Sequence, residues 1–457
     1  MKISPYIFRE YDIRGLAEGE LTDEVAFALG RAFGTFVGGS GRVTVGRDVR
    51  VSSPRLNAGF SKGLALSGCD VVELGTVPTP LVYFSMHSLH SAASAVITGS
   101  HNPVQYNGFK LSKGELSLYG PEIQEIRSIL ESSNYSSGNG RISSSEIVPS
   151  YLEEVSSKTR IGRTLRVALD FGNGTVGPVA MKLFQRLGVD VVPLFAEPDG
   201  RFPNHLPDPT IQENMEVLRR TVLDQGLDLG IAFDGDGDRI GAADDKGRIV
   251  WGDQLVAIFA GEILERNPGG TIIFDVKCSQ GLEEHIRRLG GRPLMWKTGH
   301  SLIEKKLKEE RALLAGEMSG HMFFADNYYG YDDAIFASTR LVSLISNSTV
   351  PFSNLVDALP QYVSTPEMRL ECPEELKFKL VDRLREHFKK THEVIEIDGA
   401  RILFGDGWGL VRASNTQPAL VVRFEARSKE RLDEIQSEVL GQLELLKSAM
   451  TNTGPSC

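Results

Sequence analysis

Cysteine is scarce: the 457 residues hold four, at Cys69, Cys278, Cys372 and Cys457, and no two form a CxxC pair. This spacing offers neither a disulfide framework nor a zinc site, so free thiols in a reducing cytosol, and a cytoplasmic location, are expected. No apolar run reaches the roughly 18–20 residues that a membrane-crossing helix needs. The opening MKISPYIFREYDIRG has no apolar signal core, so export is not expected either. Basic charge is also short. Lys and Arg total 50 against 60 Asp and Glu, for a net charge of −10, the wrong sign for sequence-independent binding to DNA or RNA. No segment repeats at a fixed period. With 41% hydrophobic and 24% charged residues, the chain is neither disordered nor collagen-like.

What is present alternates strands with helices. Arg42 to Gly46 reads as a strand, and Leu56, Phe60 and Leu64 mark the face of a following helix. Asp70 to Leu74 and Ala92 to Thr98 read as further strands. Glu131 to Glu146 (ESSNYSSGNGRISSSE) reads as a loop or linker and a first domain boundary. The alternation restarts with strands at Arg166 to Phe171, Val189 to Leu194 and Asp228 to Phe233, and a helix opened by Pro178. A third round begins near Trp251, with strands at Thr271 to Asp275 and near Ala312 to Ala315, and a helix after Asp333. The last hundred residues differ. A helix at Glu374 to His387 precedes four short strands between Glu393 and Glu425, then a helix carrying Leu432 to Leu446. The expected fold class is α/β: three mixed α/β domains at 1–146, 147–248 and 249–361, then a smaller α+β domain at 362–457.

Several polar loops sit at strand ends, where α/β sheets place chemistry. Thr98-Gly99-Ser100-His101-Asn102-Pro103 exposes a hydroxyl beside an imidazole, and Asn107-Gly108-Phe109-Lys110 reads as a turn that adds a cation. The spacing breaks the G-x-S-x-G elbow of serine hydrolases. Asp234-Gly235-Asp236-Gly237-Asp238-Arg239 sets three carboxylates at alternate positions, which can converge on a hard cation such as Mg²⁺ or Ca²⁺. It is not an EF-hand, because Arg239 stands at the glycine position and the segment leaves a strand. A phosphatase of the aspartyl-nucleophile type, with Asp234 attacking phosphorus, is an alternative. Gly316-Glu317-Met318-Ser319-Gly320-His321 suits sugar hydroxyls or a plain turn. Arg412-Ala413-Ser414-Asn415-Thr416-Gln417-Pro418 offers the donor set of a phosphate site, or a polar turn. Gly172-Asn173-Gly174-Thr175-Val176-Gly177 matches the dinucleotide fingerprint G-x-G-x-x-G and alone supports a dehydrogenase.

Taken together and in this order, the serine, aspartate, GEMSGH and RASNTQP loops resemble the α-D-phosphohexomutase superfamily. FREYDIRG, VGRD, PNHLPDP and WKTGHS strengthen the likeness, and GEMSGH resembles the bacterial phosphomannomutase/phosphoglucomutase branch. The resemblance implies four domains around a central cleft, each contributing one loop, and no dinucleotide at the glycine loop. It implies an isomerase, a phosphosugar mutase that interconverts hexose 1- and 6-phosphates of mannose or glucose through a hexose 1,6-bisphosphate. Ser100 would carry the phosphoryl group, and Mg²⁺ would sit on Ser100, Asp234, Asp236 and Asp238. His101, Lys110, Arg239, His300 and His321 would serve the chemistry. Tyr11, Arg14, Lys277, Glu317, Ser319, Arg412, Ser414, Asn415 and Thr416 would bind substrate. Phosphoglucosamine mutase and metal-dependent phosphosugar phosphatase are the alternatives. The expected partners are small hexose phosphates, with no nucleic acid and no membrane, and the chain is expected as a monomer or weak oligomer. Arg14, Lys110, Arg239, Lys277, Lys297 and Arg412 all fall in these loops, so an acidic body around a cationic cleft is expected.

Overall fold

Short apolar runs bounded by polar loops become fully buried strands when helices cover both sheet faces. The strands Ala93–Ile97, Leu229–Phe233 and Thr271–Asp275 are buried along their whole length. They lie inside three of the four sheets of the computed structural model, which describes residues 3–414 and 418–451. Cys69, Cys278 and Cys372 are buried free thiols, and Cys457 lies outside the described residues.

The first three sheets share one local plan. In the first, Ala93–Ile97 runs parallel to Arg42–Arg47 and antiparallel to Tyr106–Lys113. In the second, Leu229–Phe233 runs parallel to Arg166–Asp170 and antiparallel to Ile240–Asp244. In the third, Leu314–Gly316 runs parallel to Thr271–Asp275 and antiparallel to Met322–Phe324. Antiparallel neighbours can be joined by a short connection, whereas parallel ones need a crossover. The serine, aspartate and GEMSGH loops are those short connections. The fourth sheet is antiparallel along Val363–Ser364, Ala419–Ala426, Gly407–Ala413, Ala400–Leu403 and Glu393–Ile395. Its RASNTQP loop also joins antiparallel neighbours, Gly407–Ala413 and Ala419–Ala426.

Two expectations change. The Glu131–Glu146 linker contains a strand, Ile142–Ser144, paired in parallel with Asp70–Thr76. It lies at the sheet edge with all three residues exposed, so no buried apolar pattern marks it. Asn107 to Lys110 is not a turn but part of the strand Tyr106–Lys113. Asn107 spends its side-chain amide on the Ser52 and Ser53 hydroxyls. Gly108 is needed for close backbone approach, since a Cβ there would lie 2.4 Å from the Ile13 carbonyl oxygen. The strand setting turns Lys110 inward, where it is buried.

One apolar core runs through the second and third sheets and reaches helix Thr79–Ser88 of the first. The first and fourth sheets have cores of their own. The fourth meets the third over a small apolar contact of Val276, Trp408 and Leu410. Around it, Arg401 donates to the carbonyls of Val276 and Cys278, and Arg423 to that of Lys277.

Candidate active site

Ser100 is held in a left-handed conformation with φ of 47°, a strained backbone for a residue with a side chain, so its surroundings must enforce it. Arg50, buried at 1% exposure, does much of this. Its guanidinium donates to the carbonyls of Ser100, Asn102, Pro103 and Tyr106 and pairs with Asp48 at 3.2 Å. Asp48 in turn accepts from the Gly99 N–H at 3.0 Å. Gly99 has no substitute here, because a Cβ would lie 2.5 Å from Arg50 Cζ. Breaking such a buried pair strands the remaining charge. Arg50→Met is therefore expected to cost about 3–5 kcal/mol, read as a lowered midpoint in urea unfolding.

The serine loop touches the aspartate loop directly. Ser100 Oγ donates to Asp234 Oδ2 at 2.6 Å and lies 3.0 Å from His101 Nδ1. The approach needs Gly235, where a Cβ would fall 2.5 Å from the Ser100 carbonyl oxygen. Asp234 Oδ1 gathers its own loop by accepting the N–H groups of Gly237, Asp238 and Arg239. Asp236 Oδ2 accepts from the Thr79 hydroxyl at 2.6 Å and from Lys110 Nζ at 3.0 Å. Lys110 also bonds Asp238 Oδ2. Burial, then the Asp238 and Asp236 charges, push the Asp234 carboxyl well above the usual range. Burial is the strongest influence on Asp236 and Asp238 and raises both, but Lys110, joined by the Thr79 hydroxyl at Asp236 and by His321 and Arg239 at Asp238, leaves both below their usual range.

These carboxylates fit a divalent cation. One oxygen of each lies within 4.8 Å of the others. Asp236 Oδ1 and Asp238 Oδ1 are buried and have no hydrogen-bond partner among the described residues. A buried carboxylate oxygen without a donor is costly, and a hard, oxygen-seeking cation such as Mg²⁺ satisfies it.

The glycine fingerprint is committed to supporting this loop. Thr175 gives both its N–H and its hydroxyl to the Gly235 carbonyl, and Asn173 accepts from Asn204 at 2.7 Å. In PNHLPDP, His205 lies 3.2 Å from both oxygens of Asp170, and Pro207 Cβ sits 2.8 Å from where a Gly172 Cβ would be. Pro207 and His205 thus pack directly against Gly172.

The histidines line the other side. Arg239 Nε donates to His321 Nε2 at 2.9 Å, which places the ring proton on Nδ1, 2.7 Å from Asp332. His321 stacks on His300 with ring centroids 5.7 Å apart, and His300 meets the Tyr11 ring edge at 6.0 Å. Burial first, then neighbouring cations, hold His101 and His300 well below the usual imidazole range. Burial pushes His321 down to about 4 against the pull of Asp238. Glu317 accepts the Gly299 N–H and the Ser319 hydroxyl, and burial raises its carboxyl. Tyr11 donates to the Thr298 carbonyl at 2.8 Å, and Arg14 to Asn102 Oδ1 at 2.9 Å. From the fourth sheet, Arg412 pairs with Asp398 at 2.9 Å. Lys277 pairs with Glu367 at 3.1 Å.

Sequence models of the phosphoglucomutase/phosphomannomutase family match the chain along nearly all its length. Alpha/beta/alpha domain I matches residues 5–136, domain II 149–247, domain III 251–363 and the C-terminal domain 367–442. The chain belongs to the phosphoglucomutase/phosphomannomutase family. A phosphomannomutase/phosphoglucomutase of Pseudomonas aeruginosa is 42% identical over 447 residues, covering 97% of this chain and 96% of that protein. A phosphoglucomutase of Neisseria gonorrhoeae is 40% identical over 445 residues, covering 96% of each. The crystal structure of a phosphoglucomutase/phosphomannomutase family protein from Burkholderia thailandensis superposes with a TM-score of 0.92 at 42% identity, covering 98% of both chains.

Within this phosphoglucomutase/phosphomannomutase fold, one connected set of contacts unites Ser100, His101, Lys110, Arg239, His300, His321 and the aspartates. Tyr11, Arg14, Glu317 and Ser319 join it. Lys277 and Arg412 lie at the junction of the third and fourth sheets, Ser414 bonds Ala419 and Lys377 within the fourth unit, and Asn415 and Thr416 lie outside the described residues. The cleft is not the bare cationic surface that its loops imply: Arg14, Lys110, Lys277 and Arg412 each carry an acidic partner. Five contributors stand outside the motifs singled out: Arg50, Thr79, Asp332, Glu367 and Asp398. Only Arg50 is close to one, two residues beyond VGRD.

Proposed function

We propose that this phosphoglucomutase/phosphomannomutase family member is a phosphosugar mutase that moves a phosphoryl group between O1 and O6 of glucose and mannose phosphates. The observation that carries the reading is Ser100 Oγ at 2.6 Å from Asp234, beside two buried carboxylate oxygens that lack a hydrogen-bond donor among the described residues. A nucleophilic oxygen at the edge of a carboxylate cage suits a phosphoserine transferring through a cation-neutralised site. Asp234, Asp236 and Asp238 would hold Mg²⁺ with an oxygen of the phosphorylated Ser100. When bound, the ion supplies charge neutralisation for the transferring group.

The free hydroxyl of a hexose phosphate attacks phosphorus as the bond to Ser100 Oγ breaks. The hydroxyl proton passes to a neutral imidazole, with His101 the candidate, since burial keeps it uncharged at neutral pH and the acceptor nitrogen of His321 is already taken by Arg239. Lys110 is held charged between Asp236 and Asp238, so its part is neutralisation rather than proton abstraction. The 1,6-bisphosphate turns in the cleft and returns its other phosphate to Ser100. Arg412, Lys277, Ser414, Asn415 and Thr416 would hold the phosphate not in transfer. Glu317 and Ser319 would bind O3 and O4, which a glucose/mannose exchange leaves untouched. We place the four working units at 1–146, 147–248, 249–361 and 362–457, and all the groups named come from one chain.

The test is a coupled assay on glucose 1-phosphate, mannose 1-phosphate and glucosamine 1-phosphate with trace 1,6-bisphosphate. Glucose and mannose phosphates are expected to turn over within about tenfold of each other, because the site reads positions they share. Release of free phosphate without any 6-phosphate would overturn the reading in favour of a phosphatase.

A further inference from the structure

The two cations placed at the distal phosphate come already neutralised, and by acids of the same kind of setting. Arg412 and Lys277 are each 7% exposed. Arg412 lies 2.9 Å from Asp398 Oδ2, and Lys277 lies 3.1 Å from Glu367 Oε2. Both acids follow the third unit's last helix, Glu367 near the connection into the fourth sheet and Asp398 just before the strand Ala400–Leu403. Each also has a second partner. Asp398 accepts the Thr298 N–H at 3.2 Å, and Glu367 lies 3.5 Å from Arg369. Asp398, Thr298 and Tyr11 line a cavity of about 580 Å³, so Asp398 is open to a ligand on that side.

We propose that Asp398 and Glu367 are resident counter-ions of the phosphate site. They hold Arg412 and Lys277 in position before substrate arrives, then yield to its phosphate, and by competing with it they set the site's affinity low. The inference rests on the mutase reading and deepens it.

The physical argument is one of exchange. A buried guanidinium or ammonium left unpaired is strongly disfavoured, so a site built only of cations would be poorly formed without ligand. A carboxylate at ion-pair distance removes that penalty. It also opposes any dianion seeking the same donors, because the two anions repel at short range. When phosphate takes Arg412, Asp398 keeps the Thr298 N–H. When it takes Lys277, Glu367 keeps Arg369. Neither carboxylate is stranded by the exchange. A mutase needs this balance more than a one-way enzyme does, because the same site must accept one phosphate, release it, and take the other after the sugar has turned. Binding energy spent equally on every bound state would slow that release without speeding transfer.

The experiment measures binding and turnover of the full-length protein in Asp398→Asn and Glu367→Gln. Calorimetric titration with inorganic phosphate and with glucose 1-phosphate is expected to show binding about tenfold tighter in either variant. KM should fall with it, and kcat should fall because the bisphosphate is held longer. Rapid-quench labelling would show that retention as a larger fraction of enzyme-bound bisphosphate. Asp398→Glu, which keeps the charge, should restore the native KM and kcat. If the pairs only stabilise the fold, both variants bind more weakly or unchanged and KM rises or stays, and either result overturns the proposal. Should one variant fail to fold, the other carries the same decision. A native protein that turns over no hexose phosphate would sink the mutase reading, whereas active native protein with no tightening in the variants sinks this inference alone.

Discussion

Ser100→Ala should lose turnover by on the order of 10⁴ or more while remaining folded, since removing a covalent nucleophile leaves only the binding contribution to rate. The loss is specific because of how Ser100 is placed. Its hydroxyl meets Asp234 at 2.6 Å and His101 at 3.0 Å, and its backbone is fixed by Arg50 and Thr98 rather than by the hydroxyl itself. Alanine therefore keeps the loop and removes only the reacting oxygen. Loss of one hydrogen bond to a buried carboxylate is expected to change stability by about 1–3 kcal/mol, small against the activity effect. Intact-mass measurement adds an independent reading. Native protein should carry about 80 Da of phosphoryl mass that the variant lacks. Native protein that is fully active yet never acquires that mass would end the phosphoserine account.

Asp238→Asn comes next in size. Asp238 offers Oδ2 to Lys110 and leaves Oδ1 buried without a hydrogen-bond partner among the described residues, 3.8 Å from His321 Nδ1. Asparagine keeps the shape but removes a charge and turns one ligand oxygen into a donor. Activity at saturating Mg²⁺ is expected to fall by about 10²–10³, the scale of losing one transition-state electrostatic partner. The Mg²⁺ concentration needed for half-maximal activity should rise by at least about tenfold. A readout free of catalysis is thermal melting. Mg²⁺ should raise the melting temperature of native protein by mass action, and that rise should shrink in the variant. An unchanged Mg²⁺ response on both measures would remove Asp238 from the cation site.

Much of this architecture was legible because strands buried on both faces must be apolar throughout. Runs such as ASAVI and LGIAF therefore announce themselves, and the polar loops beyond them mark the site. Legibility failed where burial does not write a pattern. Ile142–Ser144 is exposed on every residue, so its pairing is carried by backbone alone. Asn107-Gly108 reads as a turn in isolation, but the fold uses Gly108 to admit the neighbouring strand. The missed site residues fail for a different reason. Thr79 reaches Asp236 across 157 residues of sequence, and Asp332, Glu367 and Asp398 stand in no motif that marks them. Their significance exists only once the sheets have packed.

The contact between the fourth sheet and the rest also has a mechanical meaning. Its core is separate, and the arginine bonds Arg401 and Arg423 make to the third sheet land on three consecutive carbonyls, those of Val276, Lys277 and Cys278. Further bonds flank that strip: Glu425 accepts the Gln280 N–H, Arg427 pairs with Glu284, and Asp398 accepts the Thr298 N–H. Lys277 lies within the strip and pairs with Glu367, so the backbone that seats the fourth unit also fixes one cation proposed for the phosphate. A substitution that loosens this seat would therefore weaken phosphate binding along with stability.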